Sequence, residues 1–435
     1  SELKSDAWIE SRQGVGYVVT GAEETQESEG DSAGERAGRV NWIGAVAEKY
    51  LDMEKTFDDL FQRFTDESHF SLGSGIASRE VYSSERVAHD IAGLLTGSGP
   101  SQYFFSPYKG DRFLRQKLAS FLGTKGVKAS SGEIQILSET NQALDFIVTL
   151  LVKPGDSVVM EEPVHPDMYR VMELAGARIL TVPVDEDGMN CDVLESLLTQ
   201  TRPRLIFVNS SFHDPTGCIL SLERRKKLVE LSSRYRIPIV EEDAASELVY
   251  DGDKLPPIKA FDTTGNVIYI YSFSLTFIPG LSLAFVTGNR DFVRALSYLV
   301  SVRLMASDWM TQKLLGMYLD DGSYYSSLAT FREIYSGNRD LVCQKLDALA
   351  HLGVRYERPR GGVYVWCRLP DGVDSKHFIN RAYNMGVTLI PGHVFYPYKN
   401  GGRDYIRINY SYESRERLAC GMDVLHTALE EELEE

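Results

Sequence analysis

Acidic and imidazole side chains stand close to the ends of several apolar runs in the sequence. Glu242 and Asp243 close "IPIVEED", His213 and Asp214 lie in "SFHDPTG" just after "RLIFVNSS", and His165 follows "SVVMEEP". Carboxylates and imidazoles that come together suit acid–base chemistry or the binding of a divalent metal ion. The spacing of these residues gives no tight ligand set, so we predict no metal site.

The apolar runs themselves predict β-strands, because they are short, rich in valine and isoleucine, and stopped by glycine, proline or aspartate. Helical patterns such as "LERRKKLVELSSRYR" lie between them. This alternation predicts a mostly parallel sheet that is covered on both faces. Ligands of such sheets bind beyond the C-terminal strand ends, where the polar residues fall. The predicted strands are "SVVMEEP", "RILTVPV", "RLIFVNSS", "IPIVEED", "VIYIYSFS" and "SLAFVTG".

The rest of the chain predicts further parts around this sheet. Residues 21–38 are polar, acidic and glycine-rich, which predicts a linker after a short N-terminal arm. The runs "GVRYERPRGGVYVWCRLP" and "DYIRINYS" predict strands of a smaller α+β domain. We therefore divide the chain into an arm and linker (1–40), an N-terminal part of the small domain (41–80), a large α/β domain (81–300) and a C-terminal small domain (301–435).

Composition limits the partners that the chain is expected to bind. Its 62 acidic and 46 basic side chains give a net charge of −16, which argues against nonspecific binding to nucleic acid or anionic membranes. No apolar run approaches the roughly 18 residues of a membrane-spanning helix. The five cysteines are scattered without a CxxC pair, so we expect neither a zinc site nor disulfides, and a cytoplasmic location.

Seven segments that follow one another along the chain form a recognisable set. They are "SPYKGDRFLRQKLASFL", "LSETNQALDFIVTLLVKPGDSVVMEEPVHPDMY", "SFHDPTG", "IVEEDAASELVYDG", "YSFSLTFIPGLSLAFV", "GGVYVWCRLP" and "DYIRINYS". In this order they resemble the fold-type I aminotransferases that depend on pyridoxal 5′-phosphate (PLP), in the branch with aminoadipate and multi-substrate aminotransferases. The resemblance runs from about residue 70 to the C-terminus and implies a two-domain α/β subunit that forms a homodimer.

At several positions the resemblance implies a changed cofactor site. The lysine that binds PLP aligns with Leu275, which can act neither as a nucleophile nor as a base. The arginine for the cofactor phosphate aligns with Ser282, and a glycine of the phosphate loop aligns with Glu139, whose carboxylate would repel a phosphate. The tyrosine that crosses the dimer aligns with Phe105. The lysines considered as substitutes for Leu275 are Lys109, Lys254 and Lys259.

The ring of the cofactor also meets altered residues in this alignment. Glu242, or Asp243 one residue later, takes the place of the aspartate that faces the pyridine nitrogen. Asp214 replaces the asparagine of the NPTG motif, and Ala245 replaces the tyrosine that contacts the ring hydroxyl. His165 takes the place of the aromatic side chain that stacks on the ring.

Three polar positions remain as in the family. Ser272 and Thr140 keep their hydroxyls, and Arg407 in "YIRINYS" matches the arginine that binds the substrate carboxylate through a planar fork. Arg407 therefore predicts a small ligand with a carboxylate, such as an amino acid. The alternative for Arg407 is an ordinary salt bridge, with Asp214 or Glu242 as its partner.

These departures predict that the chain has no cofactor, with PLP possible only noncovalently, and that it does not transaminate. Three functions remain open. The first is a repurposed biosynthetic enzyme for an amino acid or amino-acid-derived carboxylate, with His165, Asp214 and Glu242 as catalytic residues. The second is a metabolite-binding or regulatory pseudoenzyme, and the third is an atypical enzyme that holds PLP noncovalently. The predicted ligand-binding residues are Arg407, His165, Asp214, Ser272, Thr140 and Glu139.

Overall fold

The computed structural model divides the chain into two compact units, Ser1–Phe57 and Asp58–Glu435. In the smaller unit, β1 (Ile9–Arg12) and β2 (Gly16–Val19) form an antiparallel hairpin, and α1 (Trp42–Ala45) is a single helical turn. The N-terminal arm therefore contains a paired hairpin. The residues that the structure describes are 9–12, 16–19, 40–47, 50, 63, 68–78, 80–97, 107–304 and 308–434.

The larger unit is built on strands that run through most of its length. All six strands predicted from the sequence are present, as β5, β6, β8, β9, β10 and β11. In chain order the strands are β3 (Phe70–Ser71), β4 (Ile134–Leu137), β5 (Ser157–Glu162), β6 (Arg178–Asp185), β7 (Gly188–Met189), β8 (Ile206–Asn209), β9 (Ile239–Asp243), β10 (Val267–Ser272), β11 (Ala284–Thr287), β12 (Arg355–Tyr356), β13 (Tyr364–Arg368), β14 (Val387–Thr388), β15 (Ile390–Pro391) and β16 (Tyr405–Asn409).

Eight of these strands form one sheet in the order β4–β11–β10–β9–β8–β5–β6–β7. The neighbours from β10 across to β6 are parallel, whereas β11 runs antiparallel to β10 and to β4. Every residue of β9, β10 and β11 is buried, because helices cover both faces of a parallel sheet. The predicted fold class, a mostly parallel α/β sheet with a smaller α+β part, is confirmed.

The helices that cover this sheet pack on it through apolar stripes. In the helix Leu222–Tyr235, for example, Leu228 and Leu231 are buried, and the Ser221 hydroxyl caps the first turn by accepting from the Arg224 N–H. The helices are α2 (Ser84–Thr96), α3 (Arg112–Thr124), α4 (Thr140–Leu151), α5 (Pro166–Leu174), α6 (Cys191–Gln200), α7 (Leu222–Tyr235), α8 (Arg290–Arg303), α9 (Trp309–Asp320), α10 (Ser323–Ala348), α11 (Ser375–Asn384) and α12 (Arg415–Glu434). Within the described part of the chain, none of the helices is long and apolar enough to cross a membrane.

A second, four-stranded antiparallel sheet has the order β12–β13–β16–β15. Its central pair places Arg407 of β16 opposite Trp366 of β13. The strands predicted after residue 301 are thus present and form this sheet. The domain boundaries drawn from the sequence at residues 40, 80 and 300 stay a prediction.

A buried lysine fixes the end of α3 against the loop that follows β9. The side chain of Lys125 is fully buried, and its ammonium donates to the Ser246 hydroxyl at 2.6 Å. The same ammonium lies 2.7 Å from Glu247 Oε1 and 3.7 Å from Asp243 Oδ2. The ring of Tyr271 lies 4.7 Å from it. Lys125 is therefore the cation that Asp243 and Glu247 share, and Glu247 also pairs with Lys254 and Arg332.

We expect Lys125→Met to lower the free energy of unfolding by about 3 kcal/mol, because it leaves Asp243 and Glu247 buried without their shared cation. Urea unfolding followed by circular dichroism measures the change. The matched control is Lys128→Met, which removes an exposed lysine three residues away and should change stability by less than about 0.5 kcal/mol. Equal stability of the two variants would contradict this role for Lys125.

Candidate functional site

A cavity of about 160 Å³ lies beyond the C-terminal ends of β8, β9 and β10, the position predicted for a ligand. Four residues singled out from the sequence line it together with Leu275: Thr140, His165, Asp214 and Glu242. Among the described residues, no lysine or arginine lines the cavity. Its polar lining residues are Thr140, His165, Asn209, Ser211, Asp214, Glu242, Ser274 and Tyr364.

Glu242 is the buried acid at the floor of the cavity. Its Oε2 accepts a hydrogen bond from the Asn209 side-chain amide, and no basic side chain in the described residues pairs with it. Burial, with smaller contributions from the charges of Asp243 and Asp214, raises the pKa of Glu242 to about 8. The carboxyl group is therefore mostly neutral at pH 7 and lacks a cationic partner.

The other two acids of β9 have partners of their own. Glu241 accepts from the Ser210 hydroxyl at 2.6 Å and from the backbone N–H groups of Ile258 and Lys259. Asp243 accepts from the Tyr269 hydroxyl at 2.5 Å and the Ser246 hydroxyl at 2.6 Å, on the side of the sheet that holds Lys125. The choice between Glu242 and Asp243 that the sequence left open thus has a geometric answer, since only Glu242 lines the cavity.

Glu161 and His213 form a buried, uncharged pair next to Asn209. Glu161 accepts from the Asn209 backbone N–H at 2.6 Å, and its carboxylate oxygen lies 3.6 Å from His213 Nε2. Burial raises the pKa of Glu161 well above its usual value and lowers the pKa of His213 to about 4. The His213 ring is therefore neutral and contacts the Thr216 hydroxyl at 2.9 Å, outside the cavity lining.

Asp214 and Arg407 form a buried ion pair at the wall of the cavity. Nη1 of Arg407 lies 2.7 Å from each carboxylate oxygen of Asp214, and Nη2 donates to the Gly73 carbonyl at 2.8 Å. Burial favours a higher pKa for Asp214, but the opposing charges of Arg407 and His165 bring it below its usual value. The salt bridge with Asp214, one of the alternatives for Arg407, is therefore present.

His165 occupies the entrance side of the cavity at the start of α5. Its Nδ1 accepts from the Asp167 backbone N–H at 3.3 Å and so caps the helix. Its Nε2 lies 3.8 Å from Asp214 Oδ2. The imidazole, about one-third exposed, can therefore present its Nε2 edge to both Asp214 and a ligand.

Leu275 lines the cavity directly after Ser274, and the candidate substitute lysines are engaged elsewhere. The Lys109 ammonium donates to the Gly132 carbonyl, Lys254 pairs with Glu247, and Lys259 pairs with Asp262. None of these three lysines lines the cavity. Ser272 was also predicted in the site. Its hydroxyl oxygen accepts a hydrogen bond from the Ser274 N–H at 3.2 Å and so stabilises the turn that precedes Leu275.

The N-terminus of α4 forms the opposite end of the cavity. Thr140 is its first residue and lines the cavity, whereas Glu139 is the N-cap residue and lies outside the lining. Burial raises the pKa of Glu139, and a hydrogen bond from Ser282 partly offsets this rise. A helix N-terminus with a hydroxyl is an ordinary place for a phosphate group, and a carboxyl with a raised pKa opposes it less.

The model of the aminotransferase class I and II family matches residues 70–423. The chain belongs to this family. It is 30% identical to the 2-aminoadipate transaminase of Thermus thermophilus, over 82% of this chain and 89% of that protein. It is also 26% identical to the uncharacterized HTH-type transcriptional regulator YdfD of Bacillus subtilis, over 99% of this chain and 87% of that protein. Other HTH-type transcriptional regulators match it as well.

Among solved structures, the α-aminoadipate aminotransferase LysN of Thermus thermophilus superposes with a TM-score of 0.83. The two chains are 29% identical, and the match covers 91% of this chain and all of that one. LysN was crystallised with N-(5′-phosphopyridoxyl)-L-leucine, so a structure of the same fold binds a phosphopyridoxyl group.

The expectation that this chain has no cofactor is wrong. Its family and the phosphopyridoxyl group of LysN point to PLP as the cofactor. The expectation rested on the altered PLP contacts and gave too little weight to the contacts that remain. Glu242 and Thr140 both line the cavity.

The residues of the cavity fit the ring and the phosphate of PLP. Glu242 is an acid without a cation, which a ring N–H would supply, and Ser274 and Thr140 offer hydroxyls beside the α4 N-terminus. His165 borders the same space. When bound, PLP supplies an electrophilic group that reacts with amines. Leu275 offers no amine for its attachment.

Sequence reasoning missed three residues of this site. Glu161 and Tyr364 lie within segments quoted for the family resemblance and Asn209 lies in a predicted strand, but none of the three was singled out as a site residue. The position of Asn209 and Glu161 at or near the ends of predicted strands was the available signal. Ala245 lines the cavity as its alignment implied, whereas Phe105 lies outside the described residues.

The raised pKa of Glu242 predicts a pH-dependent stability for the protein without PLP. The folded state keeps a proton up to about pH 8 that the unfolded chain releases near pH 4.5, so raising the pH between these values lowers the free energy of unfolding. Glu242→Gln removes this loss. Relative to wild type, the variant should gain about 1–3 kcal/mol between pH 5 and pH 8 in urea unfolding.

The control for this measurement is Glu186→Gln, which makes the same replacement of a carboxyl by an amide at an exposed glutamate. Its stability relative to wild type should be the same at both pH values. If Glu242→Gln behaves like Glu186→Gln, the carboxyl group of Glu242 is not held neutral by its surroundings.

Proposed function

We propose that this protein is a regulatory, metabolite-binding member of the aminotransferase family, which holds PLP without a lysine linkage and senses an amine-bearing metabolite. In this proposal the cavity binds and reports a small molecule, and conventional transamination is not its task. PLP would give the cavity its affinity for amines. A transcriptional response would be the output.

The single observation that carries the proposal is the side chain of Leu275 in the cavity wall. A transaminase needs an amine at the cofactor that forms the Schiff base and then moves a proton. The three lysines considered as substitutes make contacts elsewhere, as with Lys109 on the Gly132 carbonyl. Noncovalent contacts from Glu242, Thr140 and Ser274 are the means by which PLP would be held.

The similarity to transcriptional regulators supports the regulatory part. An alignment with YdfD over 99% of this chain takes in the β1–β2 hairpin, far from the cavity in sequence. A net charge of −16 makes this chain a poor nonspecific DNA-binding surface. We therefore assign ligand sensing, and not contact with DNA, to residues 58–435.

We also propose that the protein acts as a homodimer. The segment "YFFSPYKG", which includes Tyr108, corresponds to the one that crosses between subunits in the family, and Tyr108 is half-exposed in the single chain. Light scattering at micromolar concentration should give the mass of two chains. A mass of one chain under these conditions would contradict the dimer.

Borohydride reduction of the PLP-loaded protein tests the absence of a lysine linkage. Reduction fixes a PLP–lysine bond irreversibly, and mass spectrometry of peptides locates it. We expect wild type to be stabilised by PLP, by about 2.7 kcal/mol at a hundredfold excess over its Kd, but to carry no adduct near the cavity after reduction. Leu275→Lys should give an adduct at position 275.

Leu275→Met is the matched control, because it keeps the volume of the side chain without adding an amine. It should bind PLP as wild type does and give no adduct. A stoichiometric PLP–lysine adduct in wild type, together with turnover of an amino acid, would refute the proposal and favour an ordinary aminotransferase.

An enzyme that acts on an amino acid without a PLP–lysine bond is the second candidate. It is favoured by the contact between the His165 imidazole and Asp214, which would serve in proton transfer. Product formation from a bound amino acid by wild type, lost in His165→Gln, would select this function over sensing.

A further inference from the structure

The guanidinium of Arg407 is already occupied within the chain. One of its terminal nitrogens binds both oxygens of Asp214 at 2.7 Å, and the other donates to the Gly73 carbonyl. The rings of Tyr364 and Phe395 lie 4.3 Å and 5.2 Å from its central carbon. The Nε–H is buried without a partner among the described residues, and the two terminal nitrogens that would bind an external carboxylate are both engaged while Asp214 remains in place.

In the described part of the chain, the wall of the cavity has no free cation once this pair is formed. The charges of Asp214 and Arg407 cancel, and Glu242 remains without a cation. Among the described residues, no lysine or arginine lines the cavity that would compensate a second anion. A free carboxylate on a ligand would therefore find no cation to compensate its burial, whereas the amino group of a ligand needs none, because it would react with PLP.

We propose that Asp214 is a specificity-determining residue, a built-in carboxylate that holds Arg407 and makes the cavity select amines that carry no carboxylate beside the amino group. This inference rests on the proposed function and names its ligand class. The ligands it predicts are monoamines or diamines. The α-amino acids with the same side chains are excluded by the same contact.

Pairs of probes that differ by one carboxylate test the selectivity. Leucine is compared with 3-methylbutylamine, phenylalanine with 2-phenylethylamine, and ornithine with putrescine, by calorimetric titration of the PLP-loaded full chain. In wild type, we expect each amine to bind at least tenfold more tightly than its amino acid.

Asp214→Asn should weaken this preference. The asparagine amide keeps the shape of the side chain but not its charge, so Arg407 becomes free to take a ligand carboxylate. We expect the ratio of amine to amino-acid affinity to fall at least tenfold. The control is Asp145→Asn, which makes the same change at an exposed aspartate paired with Arg303 and should leave the ratio unchanged.

Either of two results would overturn the inference: wild type that binds amino acids as tightly as amines, or a folded Asp214→Asn variant with the wild-type ratio. The first needs no variant, so the inference is decided even if Asp214→Asn does not fold. A PLP–lysine adduct in wild type after borohydride reduction would contradict the proposed function, and this result is independent of the affinity ratios.

Discussion

The site depends on the burial of three consecutive acids, Glu241, Glu242 and Asp243, at the end of one strand. Burial of a carboxylate is costly unless hydrogen bonds or a cation compensate it. Around Glu241 and Asp243 the fold supplies hydroxyls, backbone N–H groups and Lys125. Around Glu242 it supplies one amide, from Asn209. The unfilled requirement of Glu242 is the reason for proposing that the space above it binds a ligand.

Much of the architecture was predictable because it depends on patterns that are local in sequence. Strands such as β9 and β10 are apolar along their whole length, and helices between them carry one apolar stripe. The site was predictable only in part. The sequence brought Glu242, His165 and Asp214 to one sheet edge, but it could not decide between Glu242 and Asp243, because that choice depends on which face of β9 is turned to the cavity.

Long-range pairing explains the remaining errors. The partner of Arg407 is 193 residues away in sequence, and both a ligand and Asp214 were compatible with the motif around it. The cofactor was misjudged for a related reason: each altered position was weighed singly, whereas binding depends on the set that remains around the cavity. Lys125 escaped notice because an isolated lysine at the end of a helix normally lies on the surface.

The difference between a carboxylate and an amide at position 214 corresponds to a very small difference in the gene. Aspartate and asparagine codons differ by a single base, so the free form of Arg407 is one point mutation from the paired form. A leucine codon becomes a lysine codon only through at least two base changes, so position 275 is further from its alternative. If Asp214 sets the ligand class as proposed, a change of ligand therefore needs fewer mutations than the introduction of a lysine at position 275.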